Sequence, residues 1–272
     1  MIKQLIPAQV KDAIKVLFGT AKAIPATENW KWQSRKFCPV CQQSTEFLPF
    51  PYSLLRKLFE SGFSYPIFDS ETMNFDEYLC RRCGSVDRER LFALYFDRVW
   101  RGPGTILEVA PRPALTARLR QFPQTTVRTA DLFDPAADDK VDLTNMEIYQ
   151  EGQFDAWICS HVLEHIPDDR QAMRELLRVL KPGGWGIVLV PINLTIQTTH
   201  EDPSITDPVL RWKYFGQDDH VRFYSKSDFI NRLEEVGFEV SQISGAFFGM
   251  ENCECAGVDF KSVLYVVKKS KS

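Results

Sequence analysis

No stretch of apolar residues in this 272-residue chain reaches the roughly 20 that a bilayer-spanning helix requires. The N-terminus also lacks the apolar core and small-residue cleavage site of a secretory leader, so the chain reads as cytoplasmic. A basic excess is missing too. The 33 Lys and Arg stand against 36 Asp and Glu, for a net charge of −3. Proteins that grip a long polyanion usually carry a strong positive bias, which makes nucleic acid a less favoured partner than a small molecule. Nowhere does a G-x-G-x-x-G turn occur, which argues against a nicotinamide dehydrogenase. Cysteine is not scarce, but the seven residues are odd in number and include two CxxC pairs, unlike a secreted disulfide framework.

What is present suits one ordinary domain and a smaller appendage. Apolar residues make up 44% and charged residues 25%, enough to bury a core and keep a wet surface. Ile2 to Ala23 has helical apolar spacing at Val10, Ile14, Leu17 and Phe18, with Lys11, Lys15 and Lys22 between. This basic helix is expected to pack on its own protein or on a second copy in a homodimer, with a membrane surface or another partner as the alternative. Residues 37–86 are rich in turns and bracketed by cysteine pairs, with a helix expected over Tyr52 to Gly62. Asp87 to Trp100 returns to helical spacing, and Arg101-Gly102-Pro103-Gly104 breaks it. Three parts follow: a helical segment at 1–36, a cysteine module at 37–86 and a main domain at 87–272.

From Thr105 onward strands and helices alternate. Strands are expected at Ile106 to Val109, Thr126 to Ala130, Phe154 to Cys159, Trp185 to Val190, Phe238 to Ile243 and Val263 to Val267. Between them, Ala114 to Phe122, Asp168 to Leu180 and Ser227 to Val236 read as helices, the second ended by Lys181-Pro182-Gly183-Gly184. The pattern predicts an α/β fold: a mostly parallel sheet with helices on both faces. Ligands bind such sheets beyond the carboxyl ends of the strands. The informative segments are therefore Glu108 to Pro113, Asp131-Leu132, Asp142-Leu143-Thr144 and Ser160 to Asp168.

The last of these, followed by Arg174 to Gly184, resembles the class I S-adenosylmethionine-dependent methyltransferases, and more narrowly their type 11 family. The resemblance covers roughly Thr105 to Lys268 and implies a Rossmann-like sheet with S-adenosylmethionine as methyl donor. It places Glu108 near the methionine end, with Ala110 and Pro111 in the first loop. It assigns Asp131 and Leu132 to the ribose, Asp142, Leu143 and Thr144 to the adenine, and Ser160 and His161 to the wall between cofactor and acceptor. The family's first loop is usually glycine-rich, whereas here it is Ala110-Pro111-Arg112-Pro113, a departure that a wider loop would accommodate. A small-molecule acceptor is favoured. An RNA or protein methyltransferase and a non-catalytic binding protein of the same fold are the alternatives.

His161-Val162-Leu163-Glu164-His165 also matches the zinc-peptidase pattern H-x-x-E-H. That chemistry needs both histidines on one helix, and Pro167 leaves too little room for it. His165 and His220 are instead candidate catalytic bases. In the long connection Ile192 to Ser225, expected to arch over the rim as substrate wall, His220, Arg222 and Tyr224 are candidates for substrate contact or for docking the next helix. Cys38, Cys41, Cys80 and Cys83 are expected to hold one structural zinc, with tetrahedral thiolate geometry. Such a module would melt on metal loss and spare the rest. Arg81, Arg82, Arg88 and Arg90 could make it a nucleic-acid patch. Cys253 and Cys255 read as free thiols near a loop, and Cys159 as core.

Overall fold

The computed structural model describes residues 36–271; the expected N-terminal helix and the 1–36 segment lie, but for residue 36, outside the described residues. Seven strands build the main sheet: β1 (Gly104–Val109), β2 (Thr125–Asp131), β3 (Asp139–Lys140), β4 (Phe154–Ser160), β5 (Leu180–Leu189), β6 (Glu239–Ser244) and β7 (Val263–Lys268). Their spatial order is β3-β2-β1-β4-β5-β7-β6. The pairs from β3 to β5 are parallel, while β7 runs antiparallel to both β5 and β6. A near-continuous apolar run makes β4 a central strand covered on both faces: Phe154, Ala156, Trp157, Ile158 and Cys159 are all buried.

Four helices matter for the site: α1 (Asp87–Val99), α2 (Pro113–Leu119), α3 (Asp169–Val179) and α4 (Lys226–Val236). Asp168 caps α3 by accepting the Gln171 N–H at 2.9 Å, and Met173, Leu176 and Val179 bury its apolar stripe. Ser225 caps α4 through the Asp228 N–H, and Gly237 ends that helix at φ +111°, a left-handed conformation that favours glycine. Trp157 donates its indole N–H to the Leu176 carbonyl at 3.0 Å, and its ring lies flat against Gly186. A Cβ at 186 would stand 2.4 Å from that ring, which is why glycine occupies the strand.

The structure revises three sequence expectations. Lys181-Pro182-Gly183-Gly184 does not form a turn beyond α3. It bulges inside β5, because Leu180 already pairs with Phe154 before Trp185 pairs with Ala156. The connection after β5 is not a bare loop. It holds a helix, Pro208–Phe215, started by Asp207, which accepts two N–H groups, and ended by Gly216 at φ +84°. His200–Glu201 and Arg222–Phe223 also pair antiparallel. Finally, Cys253 is buried in a helix, Met250–Ala256.

The cysteine segment forms two short antiparallel pairs, Phe37–Cys38 with Gln43–Ser44 and Phe47–Leu48 with Leu79–Cys80, and a helix at Tyr52–Glu60 lies in the connection between the strands of the second pair. Cys38, Val40 and Cys80 pack on Ala93 of α1, with Ala114 of α2 beside them. The described residues, 36–271, belong to one compact unit. No helix among the described residues is long and apolar enough to cross a membrane.

Candidate functional site

Strand register brings most of the predicted rim together. Val109 pairs with Ala130 on one side and with Cys159 on the other, so Ala110, Asp131 and Ser160 are the next residues at three neighbouring strand ends. Ala110 donates its N–H to the Ala130 carbonyl at 2.9 Å and turns sharply at φ +50°. This is the left-handed geometry that glycine normally supplies, taken here by alanine. Ala110→Gly is therefore expected to stabilise the fold by about 1 kcal/mol, the relieved strain exceeding the added chain entropy. A denaturant midpoint that moves down instead would show that Ala110 is unstrained.

Asp131 accepts the Phe133 and Asp134 N–H groups on Oδ1, at 2.7 and 2.8 Å. Its Oδ2 has no hydrogen-bond partner among the described residues. Leu132 and Phe133 follow with exposed apolar faces. Val141 donates to the Asp131 carbonyl, which sets the exposed Asp142 beside this corner. Asp142 Oδ1 accepts both the N–H and the hydroxyl of Thr144, while Leu143 turns inward and is buried. Ser160 Oγ is buried with no hydrogen-bond partner, and Pro111 stands half-buried after Ala110.

Glu108 lies deeper than the other residues of the rim. It sits one level below the rim, 1% exposed, and both oxygens are engaged by the Arg112 N–H and the Thr116 hydroxyl. Burial raises its carboxyl to about 7. It anchors the start of α2, and so shapes the rim from beneath.

Beyond Ser160, His161 also adopts a left-handed backbone, at φ +57°. Burial, with the Arg88 guanidinium, lowers its imidazole to about 4. The H-x-x-E-H stretch is a single 3₁₀ turn, Leu163–His165, so the peptidase arrangement does not form. Glu164 is 1% exposed, with His161 Nδ1 at 3.3 Å and His220 Nε2 at 4.0 Å. His220 lies 6% exposed, with Nδ1 on the Phe215 carbonyl at 2.9 Å and Nε2 turned to the Glu164 side. Arg222 and Tyr224 are buried too. Arg222 donates to the carbonyls of Leu163, Ile166 and Pro167, and Tyr224 donates to Asp169 at 2.5 Å. They clamp the His161–Pro167 loop to the start of α3, and Tyr224 also packs on Phe229 of α4, the next helix, with ring centres 5.3 Å apart.

The four cysteine sulfurs of the front module lie within 4.8 Å of one another. Cys38 and Cys83 Sγ are 3.8 Å apart, and thiolates about 2.3 Å from one tetrahedral zinc stand roughly that far apart. Burial raises the Cys80 thiol, but the Cys83 and Arg82 N–H groups outweigh it and bring it down to about 7. Of the four arginines of the alternative basic patch, Arg90 is fully buried, Arg88 donates to the Tyr78 hydroxyl, and Arg81 and Arg82 stay exposed while pairing with Glu46 at 2.7 Å and donating to the Ser44 carbonyl. Arg90 is the residue that sequence reasoning misread most. Its guanidinium donates to the carbonyls of Glu77, Tyr78, Ser85, Ala256 and Gly257, with Phe47 stacked at 4.0 Å.

Residues 83–243, more than half of the chain, match a family described as "Methyltransferase domain". Among curated proteins, the ubiquinone biosynthesis O-methyltransferase of Rickettsia typhi is 23% identical over 155 residues, 55% of this chain and 63% of that one. The ubiquinone biosynthesis O-methyltransferase of Idiomarina loihiensis is 28% identical over 99 residues, 36% of this chain and 40% of that one. The match thus spans less than two thirds of these relatives' own length. Among solved structures, an S-adenosylmethionine-dependent methyltransferase from Mesorhizobium loti is similar with a TM-score of 0.43 at 15% identity, covering 66% of this chain and 98% of that one.

Proposed function

Because the chain belongs to the methyltransferase domain family, we propose that it transfers a methyl group from S-adenosylmethionine to a small-molecule acceptor. One observation carries the reading. Ala110, Asp131 and Ser160 meet at neighbouring strand ends, with an unengaged carboxylate oxygen on Asp131 and an orphaned hydroxyl on Ser160. A nucleoside fits that donor set. Asp131 Oδ2 would accept the ribose hydroxyls, and Asp142 with Leu143 and Thr144 would flank the adenine beside Leu132. The Ala110-Pro111 backbone, Ser160 and His161 would border the amino-acid end.

S-adenosylmethionine supplies an already activated methyl group, so the chain's task is to orient the acceptor in line with it and exclude water. The engagement of Arg81, Arg82 and Arg90 by protein groups favours a small acceptor over RNA. The cysteine cluster would hold a structural zinc. The placement within the type 11 family and a cytoplasmic location belong to the same reading.

Titration calorimetry with S-adenosylmethionine tests it. Asp131→Ala should weaken binding by about 1–3 kcal/mol, roughly 5- to 150-fold, as expected when buried hydroxyls lose their acceptor. Asp131→Asn keeps an oxygen for the Phe133 and Asp134 N–H groups and separates loop collapse from ribose recognition. Undiminished affinity in both variants would remove Asp131 from the site, and no binding by the parent would remove the cofactor.

A further inference from the structure

Glu164 presents an unresolved charge balance. Its side chain is 1% exposed, and neither carboxylate oxygen has a hydrogen-bond partner among the described residues. A carboxylate taken out of water with no donor is strongly disfavoured unless a cation stands against it. Three imidazoles stand around it: His161 Nδ1 approaches Oε1 to 3.3 Å, while His165 and His220 each have one nitrogen already turned to an acceptor, Asp219 and the Phe215 carbonyl. His220 Nδ1 lies 2.9 Å from the Phe215 carbonyl, and that oxygen can only accept, so Nδ1 carries the proton. In the neutral ring, His220 Nε2 then directs a lone pair toward Glu164 Oε1, 4.0 Å away. Two acceptors facing one another at that separation leave room for a cation between them. His165 Nδ1 stands 3.2 Å from Asp219 Oδ2, the carboxylate–histidine support that metal-bound imidazoles usually have.

We propose that Glu164, His165 and His220 form a site for one divalent transition-metal ion, separate from the four-cysteine cluster. Each offers one ligand atom, and the three atoms lie within 4.8 Å of one another. Ligands about 2.1 Å from a common ion stand roughly 3–3.4 Å apart, so capture draws each side chain inward by less than about 1 Å. Two imidazoles and one carboxylate favour Fe²⁺, Co²⁺ or Zn²⁺ over Mg²⁺ and Ca²⁺, with Mn²⁺ the weakest of the transition ions, and three protein ligands leave positions open. Solvent reaches the cluster past His161 and His165, whose side chains are 25% and 28% exposed. The two histidines then act as ligands and not as bases. If the methyltransferase reading holds, on which this last step rests, the open positions suit an acceptor oxygen. A hydroxyl or phenol bound to the ion loses its proton more readily.

Mn²⁺ binding to the full chain, read from the loss of the free-ion resonance signal without S-adenosylmethionine, tests the site apart from the methyl donor. Mn²⁺ competes poorly for thiolates, so the cysteine cluster does not contribute. A parallel titration with Co²⁺ follows visible absorption lacking thiolate charge transfer. One ion per chain is expected, weakened at least 10-fold in Glu164→Gln and in His165→Ala. The second variant alters a partly exposed ring and keeps the test decisive if the first fails to fold. Absence of both ions from the parent, or equal binding by a folded variant, overturns the assignment. Methyl-donor calorimetry on the same samples reports separately whether the cofactor reading stands.

Discussion

A chain carrying Cys38→Ser and Cys80→Ser is expected to hold no zinc in the front module and to lose about 4 kcal/mol of stability, a fraction of the ~10 kcal/mol or more that structural zinc sites can contribute. At roughly 2–4 °C per kcal/mol for a unit of this size, the unfolding midpoint should fall by about 8–16 °C. The sequence alone suggests a module that melts by itself. Packing argues otherwise: Cys38, Val40 and Cys80 share a cluster with Ala93 of α1, and Arg118 of α2 donates to the Pro39 carbonyl inside the first knuckle. Loss of the metal should therefore loosen α1 and α2 together, in one transition. Atomic emission and scanning calorimetry check it. Zinc-free protein with the parent's midpoint would refute the structural metal, and two separate transitions would refute the shared packing.

Arg90→Met should cost a further 3–5 kcal/mol in a zinc-replete chain, as removing one partner of a buried, fully bonded charge does. All five N–H donors of the Arg90 side chain are used, each on a backbone carbonyl, and those carbonyls come from the cysteine module and from the Met250–Ala256 helix and its end. Truncation leaves the carbonyls buried and unpaired at once. Arg90→Lys should do only slightly better, because an ammonium offers three donors at one point and cannot span the fork. Denaturant midpoints measure both. A lysine variant near the parent would mean that charge and not geometry holds the two segments.

Some of this was legible in the residues. Alternation of apolar runs and capped helices predicted the sheet because β4 is apolar throughout and Asp168 caps α3. The rim was legible for the same reason, since strand ends follow from strand register. The depth of Glu108 was not legible, because position at a strand end does not reveal side-chain direction, and here Thr116 and the Arg112 N–H draw the carboxylate inward. The Pro208–Phe215 helix did carry a signal, the Asp207-Pro208 start and the Gly216 stop, obscured by the irregular residues around it. His220 had none. It reaches Glu164 from 56 residues away, through the hydrogen bonds of Arg222 to the carbonyls of Leu163, Ile166 and Pro167. Arg90 looked like a surface charge because only tertiary structure reveals the carbonyls that converge on it.

The contact between Trp157 and Gly186 fixes an order on any evolutionary route through this sheet. A side chain cannot appear at 186 until the indole has gone, and losing the indole first opens a void worth about 3–5 kcal/mol. Each single step is unfavourable and only the double change restores packing, so lineages descended from this chain should keep the two residues or exchange them together.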